Sequence, residues 1–158
     1  MRSVIATSTA IALLLGLSGC ERWTLDRQME ALCAKDGGIK VYETVTLPVS
    51  DFNQFGEPLG RHIQTAKSQE ERFGPDYRYV TERKYIVGSN QTKVANGAGV
   101  LVRWRHTLYR RSDNKRLGEE VRYHRSGGDG VTFGFQPSGK DCPVSNTGVD
   151  LEVFKKGE

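Results

Sequence analysis

The feature that most constrains the fold is an alternation of apolar and polar residues between positions 100 and 109. The apolar set is Val100, Val102, Trp104, His106 and Leu108, and it alternates with Arg103, Arg105, Thr107 and Tyr109. A period of two predicts a half-buried β-strand, because successive side chains of a strand point to opposite faces. The turn-forming residues 112–115 follow, and the return segment 119–125 carries Val121 and Tyr123 on one parity. These segments predict a β-hairpin.

Other segments extend this pattern into a complete domain. Strands are predicted at 39–47, 77–87, 131–135 and 149–153. One helix is predicted near 25–35, after a Thr24 N-cap, because Leu25, Met29, Leu32 and Cys33 recur at helical spacing. Residues 50–76 hold either a short helix around 64–72 or a long loop. The predicted class is α+β, with one N-terminal helix packed on a mostly antiparallel sheet of about six strands.

The first twenty residues have the layout of an export signal. Arg2 is basic, residues 4–17 are uncharged, and the small residues Ser18 and Gly19 precede Cys20. This layout is typical of a secretory signal peptide, and its apolar run is shorter than the about 20 residues of a membrane span. We therefore expect residues 1–19 to be cleaved and residues 20–158 to form a single lipid-anchored globular domain.

Leu17-Ser18-Gly19-Cys20 resembles the lipobox of bacterial lipoproteins. The resemblance implies a diacylglyceryl group on the Cys20 thiol, cleavage before Cys20, and acylation of the new amino terminus, for example by palmitate. Two or three acyl chains anchor a protein at a bilayer surface, whereas one chain binds only marginally. The next residue is Glu21 rather than Asp, which in this family favours the outer membrane of a Gram-negative cell. The expected location is a lipid-anchored position facing the periplasm.

Three cysteines are present, and two of them remain if Cys20 carries lipid. Cys33 and Cys142 are then an even pair in an oxidising compartment, where they form one disulfide bond or persist as two buried thiols. No Cys-x-x-Cys spacing occurs, so a redox-active pair is not expected.

The segment from Leu108 to Pro143 resembles a pattern found in small, functionally uncharacterised bacterial lipoproteins. The residues that match are Leu117-Gly118, Tyr123, Gly127-Gly128-Asp129, Pro137-Ser138 and Cys142-Pro143, together with the early Cys33 and Asp36-Gly37-Gly38. The resemblance implies a shared fold and supports a bridge between Cys33 and Cys142. It implies no activity.

Positive charge is concentrated in the predicted hairpin. Eight basic residues stand between positions 103 and 125 against three acidic ones, although the whole chain carries only +4. Seven of the eight, called here the hairpin cations, are candidates for binding an anionic partner: Arg103, Arg105, Arg110, Arg111, Lys115, Arg116 and Arg122. Such a partner is anionic lipid, lipopolysaccharide or an acidic protein. The alternative is a solvated face that prevents edge-to-edge pairing. The net charge is too small to indicate nucleic-acid binding.

No constellation in the sequence indicates catalysis. His62, His106 and His124 lack the spacing of a zinc motif, and no Gly-x-Ser-x-Gly elbow occurs. Glu119 and Glu120 are adjacent in a predicted strand, so they point to opposite faces and do not form an acid–base pair. We expect no enzymatic activity, no cofactor and no metal. The expected role is structural or interactive, and the alternative is a periplasmic module that inhibits a host or phage factor such as a cell-wall hydrolase.

Overall fold

The computed structural model describes residues 20–61, 69–130, 136–145 and 147–158. The predicted signal peptide, the strand predicted at 131–135, His62 and most of the possible helix at 64–72 lie outside these residues. The chain divides into two compact units. Unit 1 comprises the described residues within Met1–Lys35, Lys84–Arg103 and Tyr123–Cys142, and unit 2 comprises those within Asp36–Arg83, Trp104–Arg122 and Pro143–Glu158. The assignment of residues 20–158 to a single domain stays a prediction.

The described chain contains two α-helices and seven strands. They are α1 (Cys20–Asp36), β1 (Gly38–Val41), β2 (Val45–Leu47), β3 (Tyr77–Val87), β4 (Val100–Arg110), β5 (Arg116–Ser126), β6 (Gly139–Cys142), α2 (Val149–Val153) and β7 (Phe154–Lys156). The main sheet has the order β1–β5–β4–β3, and β6 also pairs with β5. Both β1 and β6 run antiparallel to β5. A long helix on a mostly antiparallel sheet confirms the predicted α+β class.

Helix α1 buries the stripe that its sequence predicts. Leu25, Met29 and Cys33 are all buried. The helix begins at Cys20, however, and not after a Thr24 cap. The Arg22 amide donates to the Gly128 carbonyl at 3.1 Å, and the Glu21 carboxylate accepts from the Gly99 amide at 3.0 Å. The first turn therefore depends on loops distant in sequence, which a local capping signal does not reveal.

The predicted hairpin is present, with β4 and β5 joined by a turn in which Asn114 has a φ of 54°. Val121 and Tyr123 are buried as their shared parity predicts. The alternation describes β4 only in part. Val100, Leu101 and Val102 are consecutive and all buried, so both faces of the strand are covered at this end.

The single strand predicted over 39–47 is divided into β1 and β2. The amides of Tyr42 and Glu43 both donate to the Leu117 carbonyl, at 2.8 and 3.0 Å, and this interrupts the strand. After the break, β2 pairs in parallel with β7, a long-range partner that a local pattern does not identify.

The strand predicted at 149–153 is wrong, because this segment forms helix α2. Val149 and Val153 are fully buried and share one helical face. Both approach Gly118, where a Cβ atom would lie 2.7 Å from a methyl carbon of each valine. Over five residues, apolar side chains at every second position fit a strand and a helix equally well. The absence of a side chain at Gly118 leaves room for the helix.

The core of unit 2 forms around these elements. Its buried residues are Tyr79, Leu108, Leu117, Val149, Val153 and Phe154. Aromatic rings meet edge to face, with ring centroids 5.2 Å apart for Phe73 and Phe154 and 4.8 Å apart for Tyr77 and Phe154. None of the helices in the described part of the chain has the length and hydrophobicity of a membrane span.

Candidate functional site

The two cysteines predicted as a pair lie together in unit 1. The Sγ atoms of Cys33 and Cys142 are 2.09 Å apart and their Cα atoms 6.0 Å apart, which is compatible with a disulfide bond. Cys33 belongs to α1 and Cys142 ends β6, so the pair joins the helix to the sheet across 109 residues of sequence.

Arg125 is the centre of a buried polar network in unit 1. Its side chain shares the strand parity of Tyr123 and is 1% exposed. The guanidinium donates to the Asp26 carboxylate at 2.8 Å and to the carbonyls of Gly127 and Ser138 at 3.0 and 2.9 Å. A buried charge with this set of acceptors is electrostatically satisfied. Arg125 therefore stabilises the unit and is not part of a free basic surface.

Asp129 extends this network to the start of α1. Its carboxylate accepts from the Ser138 amide and hydroxyl, both at 2.8 Å, and pairs with Arg22 at 3.2 Å. Burial alone raises the pKa of Asp129, but the hydrogen bonds from Ser138 and the charge of Arg22 outweigh burial and lower it. The loop at 127–129 thus holds the first helical turn in place.

Close approach of two glycine-rich loops completes this region. Gly97 has a φ of 94°, and a Cβ atom there would lie 2.6 Å from the carbonyl carbon of Gly130. Only glycine combines this backbone conformation with this contact at low cost. The loops that bond to Glu21 and Arg22 are therefore in contact with each other.

Most of the hairpin cations are paired within the chain. The ion pairs are Arg105 with Glu82, Arg110 with Glu43 and Asp113, Lys115 with Glu43, Arg116 with Glu119, and Arg122 with Glu120. The other two bond to neutral acceptors, Arg103 to the Tyr123 hydroxyl and Arg111 to the Tyr77 carbonyl. Glu43 and Glu82 come from outside residues 103–125. Counting charge along that segment therefore overestimates the free positive charge.

The paired cations differ in how accessible they remain. The side chains of Arg105, Lys115 and Arg116 are 40%, 55% and 48% exposed. Exposed pairs of this kind contribute only about 0–1 kcal/mol, so they exchange partners readily. Arg110 is more constrained, because it binds both Glu43 and Asp113. Its hydrogen bond to Glu43 lowers the pKa of that carboxyl.

A second group of charged residues, which no sequence motif indicates, lines a cavity of about 240 Å³ in unit 2. This arginine cavity is formed by Arg61, Arg72, Tyr79, His106, Glu120, Arg122, Gly148 and Asp150. The carboxyl residues Glu120 and Asp150 are 3% and 2% exposed. Asp150 pairs with Arg61 at 3.0 Å. Glu120 accepts from the Arg122 guanidinium and, at 3.2 Å, from the Val149 amide.

Arg72 is the cation of this cavity that has no carboxylate partner in the described chain. Its guanidinium carbon lies 3.6 Å from the ring centroid of Tyr79, and its Nη1 donates to the Arg61 carbonyl at 3.2 Å. Its Nε is buried without a hydrogen-bond partner. An unsatisfied buried donor costs about 1–3 kcal/mol. The cavity thus holds three guanidinium groups and two carboxylates.

His106 and Tyr79 add no charge to the arginine cavity near neutral pH. Burial, together with the charges of Arg72 and Arg122, lowers the pKa of His106 to about 4. Burial raises the pKa of Tyr79 to about 12. The two rings stack 5.6 Å apart, and His106 Nδ1 lies 3.1 Å from the Thr81 hydroxyl. The charges at the cavity are therefore those of its arginines and carboxylates, and Arg61 also pairs with Glu57, outside the lining, at 3.5 Å.

The remaining predicted candidates do not form a chemical centre. His124 contacts Asp141 at 2.8 Å, and its side chain is 42% exposed. In the ranges that the structure covers, no three His, Cys, Asp or Glu side chains are grouped so as to hold a metal ion. Comparison of the chain with protein-family models, curated proteins and solved structures finds no match. The contacts described above are therefore the basis for assigning a function.

Proposed function

We propose that the protein is a lipid-anchored component of a bacterial cell envelope with a non-catalytic, structural or interaction role. The observation that carries the proposal is that α1 includes Cys20 and continues from it without a break to Asp36. The backbone of Arg22 and the Cys33 side chain tie this helix to unit 1 near both of its ends. Lipid on Cys20 would hold the folded unit at the bilayer surface with no flexible tether between them.

Substitution of Cys20 tests the anchor. Cys20→Ser removes the thiol, so we expect an unprocessed precursor that takes up no labelled fatty acid and keeps its apolar N-terminal segment. Cys33→Ser is the matched control, because it also removes one thiol but leaves the lipobox intact. Metabolic labelling with an alkyne fatty acid and the mass of the N-terminal peptide measure the outcome. Equal labelling of Cys20→Ser and the parent protein would contradict the proposal.

The interaction surface that we propose consists of three of the hairpin cations, Arg105, Lys115 and Arg116, and its partner is an anionic lipid surface. These three have the most exposed side chains of the paired set. Each lipid-facing cation contributes about 1 kcal/mol to binding at an anionic bilayer, which is enough to compete with an exposed ion pair. Arg122, in contrast, also donates to the carbonyls of Ser145 and Thr147 and is held in unit 2.

Charge reversal tests this surface. The triple variant Arg105→Glu, Lys115→Glu and Arg116→Glu should lose binding to vesicles that contain phosphatidylglycerol. The matched control reverses Lys84, Lys155 and Lys156, three exposed lysines, and changes the net charge by the same amount. The chain from Glu21 onward is used so that the anchor does not mask the effect, and added salt should weaken binding over a Debye length of about 8 Å. Equal losses of vesicle binding in both triple variants would show that net charge, and not this surface, causes binding. If the parent protein binds no vesicles, the hairpin cations form a solvated face.

A further inference from the structure

We propose that the arginine cavity of unit 2 binds a small oxyanion, a carboxylate or phosphate group, and that Arg72 is the cation that pairs with it. This site is independent of the lipid anchor and of the hairpin cations outside the cavity. Its basis is that Arg72, unlike the lining residues Arg61 and Arg122, has no carboxylate partner in the described chain, and that its buried Nε has no hydrogen-bond partner there.

The pairing within the cavity identifies Arg72 as the available cation. Asp150 is bound by Arg61, and Glu120 is bound by Arg122 and by the Val149 amide. Both carboxylates are almost completely buried, so their charges are neutralised where they lie. Arg72 contacts two aromatic rings, Tyr79 and Phe73, and a carbonyl oxygen, all of which are neutral groups. Arg61 holds a second carboxylate, Glu57, at 3.5 Å, so an incoming anion would supply the direct partner that Arg72 itself lacks among the described residues.

The surroundings of Arg72 suit an oxyanion. Two rings hold its guanidinium in position, because the guanidinium carbon lies 3.6 Å from the ring centroid of Tyr79 and 4.7 Å from that of Phe73. Arginine binds carboxylates and phosphates through its N–H groups, and the buried Nε of Arg72 has no hydrogen-bond partner among the described residues. His106, stacked on the same Tyr79 ring, is uncharged and does not compete for the anion.

The dimensions of the cavity limit the ligand to a small group. Its volume is about 240 Å³. Because one water takes about 30 Å³, this space corresponds to about eight waters, and it falls below the roughly 300–1,000 Å³ of sites for drug-sized molecules. The side chains of Arg61 and Arg122 are 20% and 33% exposed, so the cavity is reached from solvent. A carboxylate or phosphate group therefore fits inside the cavity. A larger organic ligand would place only such a group in the cavity, and the rest of the molecule would stay outside.

Titration of the full-length protein with inorganic phosphate and with acetate tests the proposal, with chloride at the same ionic strength as the reference. The readout is the ¹⁵N–¹H signal of the Arg72 Nε group and, independently, the melting temperature, which a ligand of the folded state raises. We expect saturable changes with at least one oxyanion and none with chloride. A response to only one of the two identifies which oxyanion the site takes.

Variants assign the binding to Arg72. Arg72→Gln should weaken binding by about tenfold or more, since it removes the charge-assisted hydrogen bonds. Arg72→Lys keeps the charge but loses the planar group, and it should bind with intermediate affinity even if Arg72→Gln does not fold. Arg27→Gln, an exposed arginine that belongs to neither the cavity nor the hairpin cations, should bind as the parent does. No saturable response of the parent to either oxyanion, or unchanged affinity in Arg72→Lys, would overturn the proposal.

Discussion

Two arginines, one in each unit, show how differently a protein treats a guanidinium that it buries fully or in part. Arg125 in unit 1 is fully buried and has a carboxylate and two carbonyls as acceptors. Arg72 in unit 2 is half-buried and has two aromatic rings, a carbonyl and an Nε that lacks a partner among the described residues. Burial alone therefore does not identify a functional residue. The acceptors that surround the cation separate a structural arginine from one that still has charge to offer a ligand.

The largest expected effect is the loss of the covalent link in unit 1. Replacing Cys33 and Cys142 together by Ala should lower the free energy of unfolding by about 4–5 kcal/mol on the chain-entropy model, because the loop between them spans 109 residues. Urea unfolding of the parent and the double variant measures the difference, and a reductant should reproduce it in the parent alone. A loss below about 1 kcal/mol would show that the network around Arg125 holds α1 without the bridge.

The second effect concerns Arg125 itself. Arg125→Gln leaves the Asp26 carboxylate and the Ser138 carbonyl without their donor, and breaking a buried pair costs about 3–5 kcal/mol. Because Asp26 is 18% exposed and partly solvated, we expect the lower end of this range. Urea unfolding is again the measurement. Arg116→Gln, an exposed control, should change stability by less than about 0.5 kcal/mol.

A smaller effect appears as pH dependence in unit 2. The folded state holds the pKa of His106 at about 4, below its ordinary value of 6.5, so between these values the unfolded chain binds more protons. The contribution of His106 to stability is therefore complete above pH 6.5 and is lost as the pH falls towards 4. It amounts to at most about 3 kcal/mol, since one pKa unit corresponds to about 1.4 kcal/mol. His106→Gln should flatten the stability curve between pH 6.5 and 4, as measured by urea unfolding across that range, and an unchanged curve would contradict the prediction.

The smallest expected effect is that of Arg72→Gln on stability. The substitution removes a cation–π contact with Tyr79, worth about 0.5–2 kcal/mol, but it also removes a buried donor that has no acceptor. The two terms oppose each other, so the free energy of unfolding should change by about 1 kcal/mol or less. If unfolding in urea shows Arg72→Gln to be as costly as Arg125→Gln, the distinction between the two arginines is wrong.

Local periodicity is sufficient to predict much of the fold. The stripe of Leu25, Met29 and Cys33 and the hairpin follow from the spacing of apolar side chains, the strand at 77–87 follows from its Tyr and Val content, and the structure contains each of them. Segment 149–153 is predicted wrongly, because five residues do not separate a strand from a helix. The helix packs where Gly118, about thirty residues earlier in the chain, leaves room for Val149 and Val153.

The arginine cavity is not visible in the sequence for a related reason. Its residues come from stretches around 61–79, 106–122 and 148–150, and no short motif links them. The alternation of side chains along a strand predicts part of this arrangement, because it places Glu119 and Glu120 on opposite faces of β5. Glu119 accepts from the Tyr42 hydroxyl, whereas Glu120 lines the cavity. The same alternation places Arg125 on the face of β5 that carries the buried Tyr123. A count of charges along the segment does not show that Arg125 is buried.

The long reach of the contacts that hold α1 has a consequence for the order of events during synthesis. Asp26 and Cys33 are made early, but their partners Arg125 and Cys142 follow 99 and 109 residues later. At about 5–20 residues per second, the helix waits roughly 5 to 20 seconds for the groups that fix it. Throughout that interval Cys33 lacks its partner Cys142. The first element that the structure describes is thus among the last to have its contacts completed.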